Sequence, residues 1–189
     1  MNRRTALRTA GSLICATGLT GCLGGPTGES EQPTPVDLSG SKADDEGGMV
    51  IGHHGGPNGQ IFYENNSPDG HENPAWFHTL AFGLFPYYFE HEQKGWEATA
   101  IYVTDYSSIE YTLSEEGTLT MPSPTAPDTF GDAEQMDYVM ESQVTGGMGP
   151  ALIPFSEPTD AESFVSNYEG EIVQFDEITP ELVTSYTRQ

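Results

Sequence analysis

Beyond a polar stretch that ends near residue 46, apolar side chains return in short blocks whose spacing changes along the chain. Met49-Val50-Ile51 and Gln60-Ile61-Phe62-Tyr63 flank the turn formers His54-Gly55-Gly56-Pro57-Asn58-Gly59, a hairpin signal. The spacing then lengthens. Trp76, Phe77, Leu80, Ala81 and Leu84 make a helical stripe, with Asn73 as N-cap and Pro74 at the first helical position. Pro86 is expected to end or kink this helix. Residues 98–106, centred on Ile101-Tyr102-Val103, read as the strand that closes the unit.

The same order recurs further on. Met136-Asp137-Tyr138-Val139-Met140 alternates as a strand does, Thr145-Gly146-Gly147-Met148-Gly149-Pro150 turns, and Ala151-Leu152-Ile153-Pro154-Phe155 returns. Thr159 and Glu162 have capping-box spacing. Ala161, Phe164, Val165 and Tyr168 follow at helical intervals, Gly170 stands where a helix would stop, and residues 171–176 form the last strand. One such unit is too small to bury a good core. The expected fold class is therefore α+β: two pseudo-repeated β-β-α-β units, residues 47–113 and 136–180, packed against each other. A proline-rich connecting loop (114–135) and a tail (181–189) complete the folded part.

The N-terminus has a different character. Arg3, Arg4 and Arg8 precede a short Ala/Gly/Leu-rich stretch that ends in Leu19-Thr20-Gly21-Cys22. A positive start, an apolar middle and small residues before a cut make a signal peptide, and paired arginines point to the twin-arginine export route. Leu-Thr-Gly-Cys resembles a lipobox, which makes Cys22 the lipidated first residue of the mature chain. The apolar stretch is shorter than the roughly 20 residues that span a bilayer. Two lipid chains on Cys22 would anchor the protein stably, so residues 1–21 are expected to be lost and the rest held on the outer face of the membrane. Gly, Pro, Ser, Thr and acids dominate residues 22–46, which read as a flexible tether.

Charge and cysteine content narrow the chemistry. Losing residues 1–21 removes three arginines and leaves Lys42, Lys94 and Arg188 against 29 acids, a net charge of 3 − 29 = −26. That excess self-repels unless salt screens it, which is a halophilic pattern. No basic patch exists for nucleic acid. Cys15 leaves with the signal and Cys22 carries lipid, so the mature domain has neither a free thiol nor a disulfide.

No nucleophile–base pair, phosphate loop or dinucleotide fingerprint is present, and no enzymatic activity is expected. His71, His78 and His91 lack metal-ligand spacing and are expected on the surface or in packing. Two turns stand out. One carries Met49 and His53-His54; the other places Met148 among glycines, with no apolar neighbour in sequence. A thioether there is either an exposed apolar residue or a soft ligand. Thioether with imidazole suits Cu(I) better than zinc, calcium or magnesium. If the halves face each other, Met49, His54 and Met148 converge; otherwise Met49 is core and Met148 has no role.

Five segments together resemble the NosL family of copper-binding outer lipoproteins, accessory to nitrous-oxide reductase. They are Gly48-Met49 through the His54-to-Ile61 turn; Ala75-Trp76-Phe77; Ala100 through Asp105; Gly146-Gly147-Met148-Gly149; and Phe155 through Glu177. The resemblance implies two β-β-α-β units and a Cu(I) site in which Met49 and Met148 are ligands. His54 matches the histidine of the family's His-Pro-Gly-Pro turn, and its ligand role is inferred. Gly47 stands where the family has a cysteine, so a thiolate is lost, and His53 or His54 would substitute. The resemblance also implies a partner, apo nitrous-oxide reductase with its maturation machinery, to which a membrane-tethered chaperone would deliver copper. The alternative is a metal-free scaffold or interaction module of the same maturation complex.

Overall fold

A computed structural model describes residues 32–114 and 117–188. The signal and Cys22 lie outside these residues. Seven strands and three α-helices follow in the order β1 (Gly59–Tyr63), β2 (Ala75–Phe77), α1 (Phe85–Gln93), β3 (Ala98–Thr104), β4 (Phe130–Asp132), β5 (Asp137–Met140), β6 (Ile153–Phe155), α2 (Pro158–Tyr168), β7 (Glu171–Gln174) and α3 (Pro180–Tyr186). Two antiparallel sheets result, ordered β2-β1-β3-β4 and β6-β5-β7. In each, the first strand of a β-β-α-β run lies centrally, between the second and third. The α+β class read from the sequence is the class observed. Among the described residues no helix is long and apolar enough to cross a membrane.

β5 joins the halves. Side chains alternate across a strand, so Tyr138 and Met140 enter one core while Val139 enters another. The first core holds Ile61, Phe77, Leu84, Phe85 and Val103 from the first unit, and the Phe85 and Tyr138 rings meet edge to face at 5.9 Å. The second core is closed by Ala161 and Phe164 of α2 against Ile153 and Phe155. The central strand of the second sheet, β5, is thus buried on both faces.

Several boundaries differ from the sequence reading. Met49-Val50-Ile51 is not a strand; Val50 makes only an isolated bridge to Ala43. Residues 75–77, expected inside a helix, form β2 instead, because Ala75 and Trp76 pair with Ile61 and Gln60 of β1. Helical backbone starts only at Leu80, as a π-helical turn (Leu80–Leu84) that runs into α1. Pro86 sits in the first turn of α1, directly after that π-helical turn, and the helix runs on through it rather than ending there. Thr159 is not the N-cap of α2: Pro158 opens the helix and Glu157 precedes it. The connecting loop contains β4, which extends the first sheet.

Both ends are more ordered than composition implies. Of the tether expected over residues 22–46, residues 32–46 pack onto the fold. Leu38 is fully buried, the amide of buried Gln60 exchanges two 2.9 Å hydrogen bonds with the Val36 backbone, and the Tyr102 hydroxyl donates to the Pro33 carbonyl. The expected tail (181–189) contains most of α3. Its Thr179 Oγ1 caps the helix by accepting from Leu182 N. Val183 and Tyr186 are buried, and the Tyr186 hydroxyl donates to the Ala151 carbonyl and accepts from Glu141 N.

Candidate metal centre

The site is built from glycines that allow backbones to touch. A Cβ placed on Gly146 would lie 2.6 Å from the Gly56 carbonyl oxygen, and one on Gly147 would lie 2.5 Å from that of Gly55. Any side chain there collides with main chain, so these glycines serve close approach rather than flexibility. Residues 119–121, from the connecting loop, tie the two turns together. Gly56 N donates to Met121 O, Met121 N to Thr145 O, and Thr145 N to Leu119 O. The turn before Met148 is thereby laid directly on the turn after His54. His54 Cβ would stand 3.1 Å from a Cβ on Gly147, the residue preceding Met148. Both His54 and Met148 are exposed, Met148 at 48% of its surface.

Met49 comes from an adjoining loop, residues 42–51. Asp44 N donates to the Met49 carbonyl, Gly48 N to Asp44 O, and Ile51 N to Lys42 O, which folds the loop back on itself. Asp45 N donates to Trp76 O, and Trp76 N donates to the Asp45 carboxylate, which fastens the loop along β2. Met49 is half-buried here.

Asp44 is the buried hub of that loop. Its Oδ1 accepts from the amides of Glu46 (2.8 Å) and Gly47 (2.7 Å), and its Oδ2 from His78 N (2.7 Å) and His78 Nδ1 (2.5 Å). Burial works against ionisation, but the donors from His78 and Gly47 outweigh it and hold the carboxyl below the usual carboxylate range. His78 itself is 2% exposed, and among the described residues its Nε2 has no hydrogen-bond partner. Its Cε1 lies 3.7 Å from where a Cβ on Gly47 would be, and its ring meets that of His54 edge-on at a centroid distance of 6.3 Å.

The three residues singled out from the sequence thus fare differently. His54 and the Met148 turn are brought together; the loop bearing Met49 borders His78 at Gly47, and the His78 ring in turn meets that of His54. His53 is exposed beside them. His71 stacks on Trp76 at 3.9 Å, and buried His91 stacks on Tyr87 and bonds its carbonyl, both packing roles as expected. His78 is the residue that sequence reasoning missed. Its partner Asp44 is 34 positions away, so no local spacing marks the pair. The available hint is Asp44-Asp45 lying just before Gly47-Gly48-Met49, an acidic pair next to a candidate ligand. Among the described residues no three His, Cys, Asp or Glu side chains cluster as a metal site of that composition requires.

Comparison with known proteins adds a family. The model of the NosL family matches residues 35–183. The crystal structure of the copper chaperone NosL from Shewanella denitrificans is 25% identical, with a TM-score of 0.62, and the match covers 80% of this chain and 98% of that one. The solution structure of apo-NosL from Achromobacter cycloclastes is 26% identical, with a TM-score of 0.39, covering 66% of this chain and 87% of that one. No curated protein matches.

Proposed function

We propose a function from one premise: this chain belongs to the NosL family, whose model spans most of its length. The protein is a Cu(I) metallochaperone, not an enzyme. It holds the ion through Met49, His54 and Met148 and passes it to apo nitrous-oxide reductase while that enzyme's copper centres are assembled. Lipid on Cys22, after export by the twin-arginine route, keeps it on the outer face of the membrane.

The observation that carries this reading is the backbone stack of Gly146-Gly147 on Gly55-Gly56, which brings the Met148 turn against His54. The donor chemistry fits the cargo. Thioether and neutral imidazole need no deprotonation and favour a soft monovalent cation over harder ones. They also hold it less tightly than thiolate, which suits a protein that must release its copper. Exposure gives a direction to transfer. Met148 and His54 face solvent while Met49 is half-buried, so an acceptor's ligands displace the outer donors first and the ion leaves by stepwise ligand exchange.

Mixing copper-loaded protein with apo nitrous-oxide reductase under anaerobic conditions tests the assignment. Transfer of copper to the reductase, with loss of transfer in Met148→Ala, is expected. Retention of all copper on this protein after prolonged mixing would overturn the delivery role.

A further inference from the structure

We propose that His78, oriented by Asp44, is a Cu(I) ligand that takes the place of the thiolate absent at Gly47. The proposal rests on the copper-binding reading above and names a donor which that reading lacks.

Three independent features of the geometry point to the same atom. First, Nδ1 and the backbone N–H of His78 both bond one carboxylate oxygen of Asp44. With Nδ1 donating, the neutral ring carries its free lone pair on Nε2. Second, that Nε2 is buried and has no partner among the described residues. Leaving a buried polar atom unsatisfied is costly, and the hold of Asp44 on Nδ1 leaves this nitrogen available to a ligand. The Tyr63 hydroxyl and the Thr79 hydroxyl are also buried and unpartnered, but neither has an oriented lone pair beside candidate soft ligands. Third, the ring occupies the place from which a side chain at Gly47 would reach inward: its Cε1, next to Nε2, is 3.7 Å from the Cβ position of Gly47.

The spacing to His54 fits one shared ion. An imidazole nitrogen binds a metal at about 2 Å, which puts the ion about 3 Å from the ring centroid. Counting the distance from ring nitrogen to centroid, two rings that share an ion have centroids at most about 6.4 Å apart, with their bonds opposed; His54 and His78, at 6.3 Å, stand at that outer limit. A histidine whose second nitrogen donates to a carboxylate is the usual arrangement at protein metal sites; the carboxylate sets the tautomer and raises the basicity of the ligating nitrogen. Asp44 does both here, and the loop it anchors is the one that presents Met49. The same carboxylate thus positions two donors. In place of a thiol on the surface loop, the chain offers a nitrogen from the residue that directly follows β2.

The test uses the full chain, with histidine ring nitrogens labelled with 15N, titrated with Cu(I) and separately with Ag(I) as a redox-stable d10 analogue. NMR of the unmutated protein is expected to show the His78 Nε2 resonance moving on metal addition while Nδ1 keeps its proton. In parallel, His78→Asn retains a donor toward Asp44 but deletes Nε2, and it is expected to bind Cu(I) at least about tenfold more weakly while still unfolding cooperatively. If wild type binds Cu(I) but the His78 Nε2 signal stays in place and His78→Asn binds as tightly, the proposal is overturned and the copper reading survives. If wild type binds no Cu(I), that reading falls and this one with it. Should His78→Asn fail to fold, the NMR titration of the unmutated chain decides alone.

Discussion

Gly47→Cys, which puts a thiol where the family resemblance expects one, probes the architecture of the centre most sharply. Gly47 has no left-handed backbone requirement, and its Cβ would meet only Asp44 Oδ1 and His78 Cε1, both at 3.7 Å, which is ordinary contact. The substitution therefore fits without displacing the loop. Removing glycine's freedom from the unfolded chain should stabilise the fold by about 0.4–1 kcal/mol, the usual gain where the native backbone suits a side chain. The new sulfur would project toward His78, adding a soft anionic donor to a neutral set. Cu(I) affinity is expected to rise at least tenfold, about 1.4 kcal/mol or more. Thermal melting and anaerobic competition with a chromophoric Cu(I) chelator read the two effects separately. Gly48→Cys is the matched control: with φ at +68° a side chain there is strained, and it should destabilise by about 1 kcal/mol or more. A Gly47→Cys protein that melts lower than wild type, or binds copper no more tightly, would refute the placement of Gly47 at the centre.

Other substitutions test the supports. Gly147→Ala drives a methyl group into the Gly55 carbonyl; a loss of about 1–3 kcal/mol in stability and weaker copper binding are expected in denaturant and chelator titrations. Tyr186→Phe removes the hydroxyl that bridges Ala151 O and Glu141 N, and urea unfolding should report a loss of about 1–3 kcal/mol if the C-terminal helix is part of the core. Burial pushes the phenols of Tyr63, Tyr87, Tyr88, Tyr102, Tyr106, Tyr111, Tyr138 and Tyr186 up, Tyr87 to about 12. A raised folded value means that stability is intact below about pH 10, the unfolded tyrosine value, and is lost as pH rises through the folded values. Ultraviolet titration should show far less phenolate in the native protein than in the unfolded chain near pH 10.5; equal ionisation would contradict the burial of these rings.

The sequence carried the order of elements well, because short β-branched and aromatic runs separated by Gly/Pro clusters leave few alternatives. It failed where two periods overlap. Trp76, Phe77, Leu80 and Leu84 satisfy helical spacing, yet pairing of residues 75–77 with β1 outweighs that pattern, a tertiary effect invisible locally. Composition misjudged both ends for a similar reason. A single buried Leu38, two bonds to Gln60 and the hub carboxylate of Asp44 order a segment rich in Gly, Pro and Ser. At the candidate site, Met148 and His54 were legible as odd residues in glycine-rich turns. What the glycines do was not, since close backbone approach depends on the partner turn. His78 was hidden most thoroughly, because its meaning lies in Asp44 and Gly47, far off in sequence.

The central claim is that this fold holds Cu(I) with thioethers from both halves. Anaerobic competition of residues 30–189 against a chromophoric Cu(I) chelator in high salt, with wild type, Met49→Ala and Met148→Ala side by side, tests it most directly. The account predicts that wild type withholds about one copper per chain and that each variant surrenders it to the chelator. Wild type failing to compete, or both variants competing as well as wild type, would contradict it.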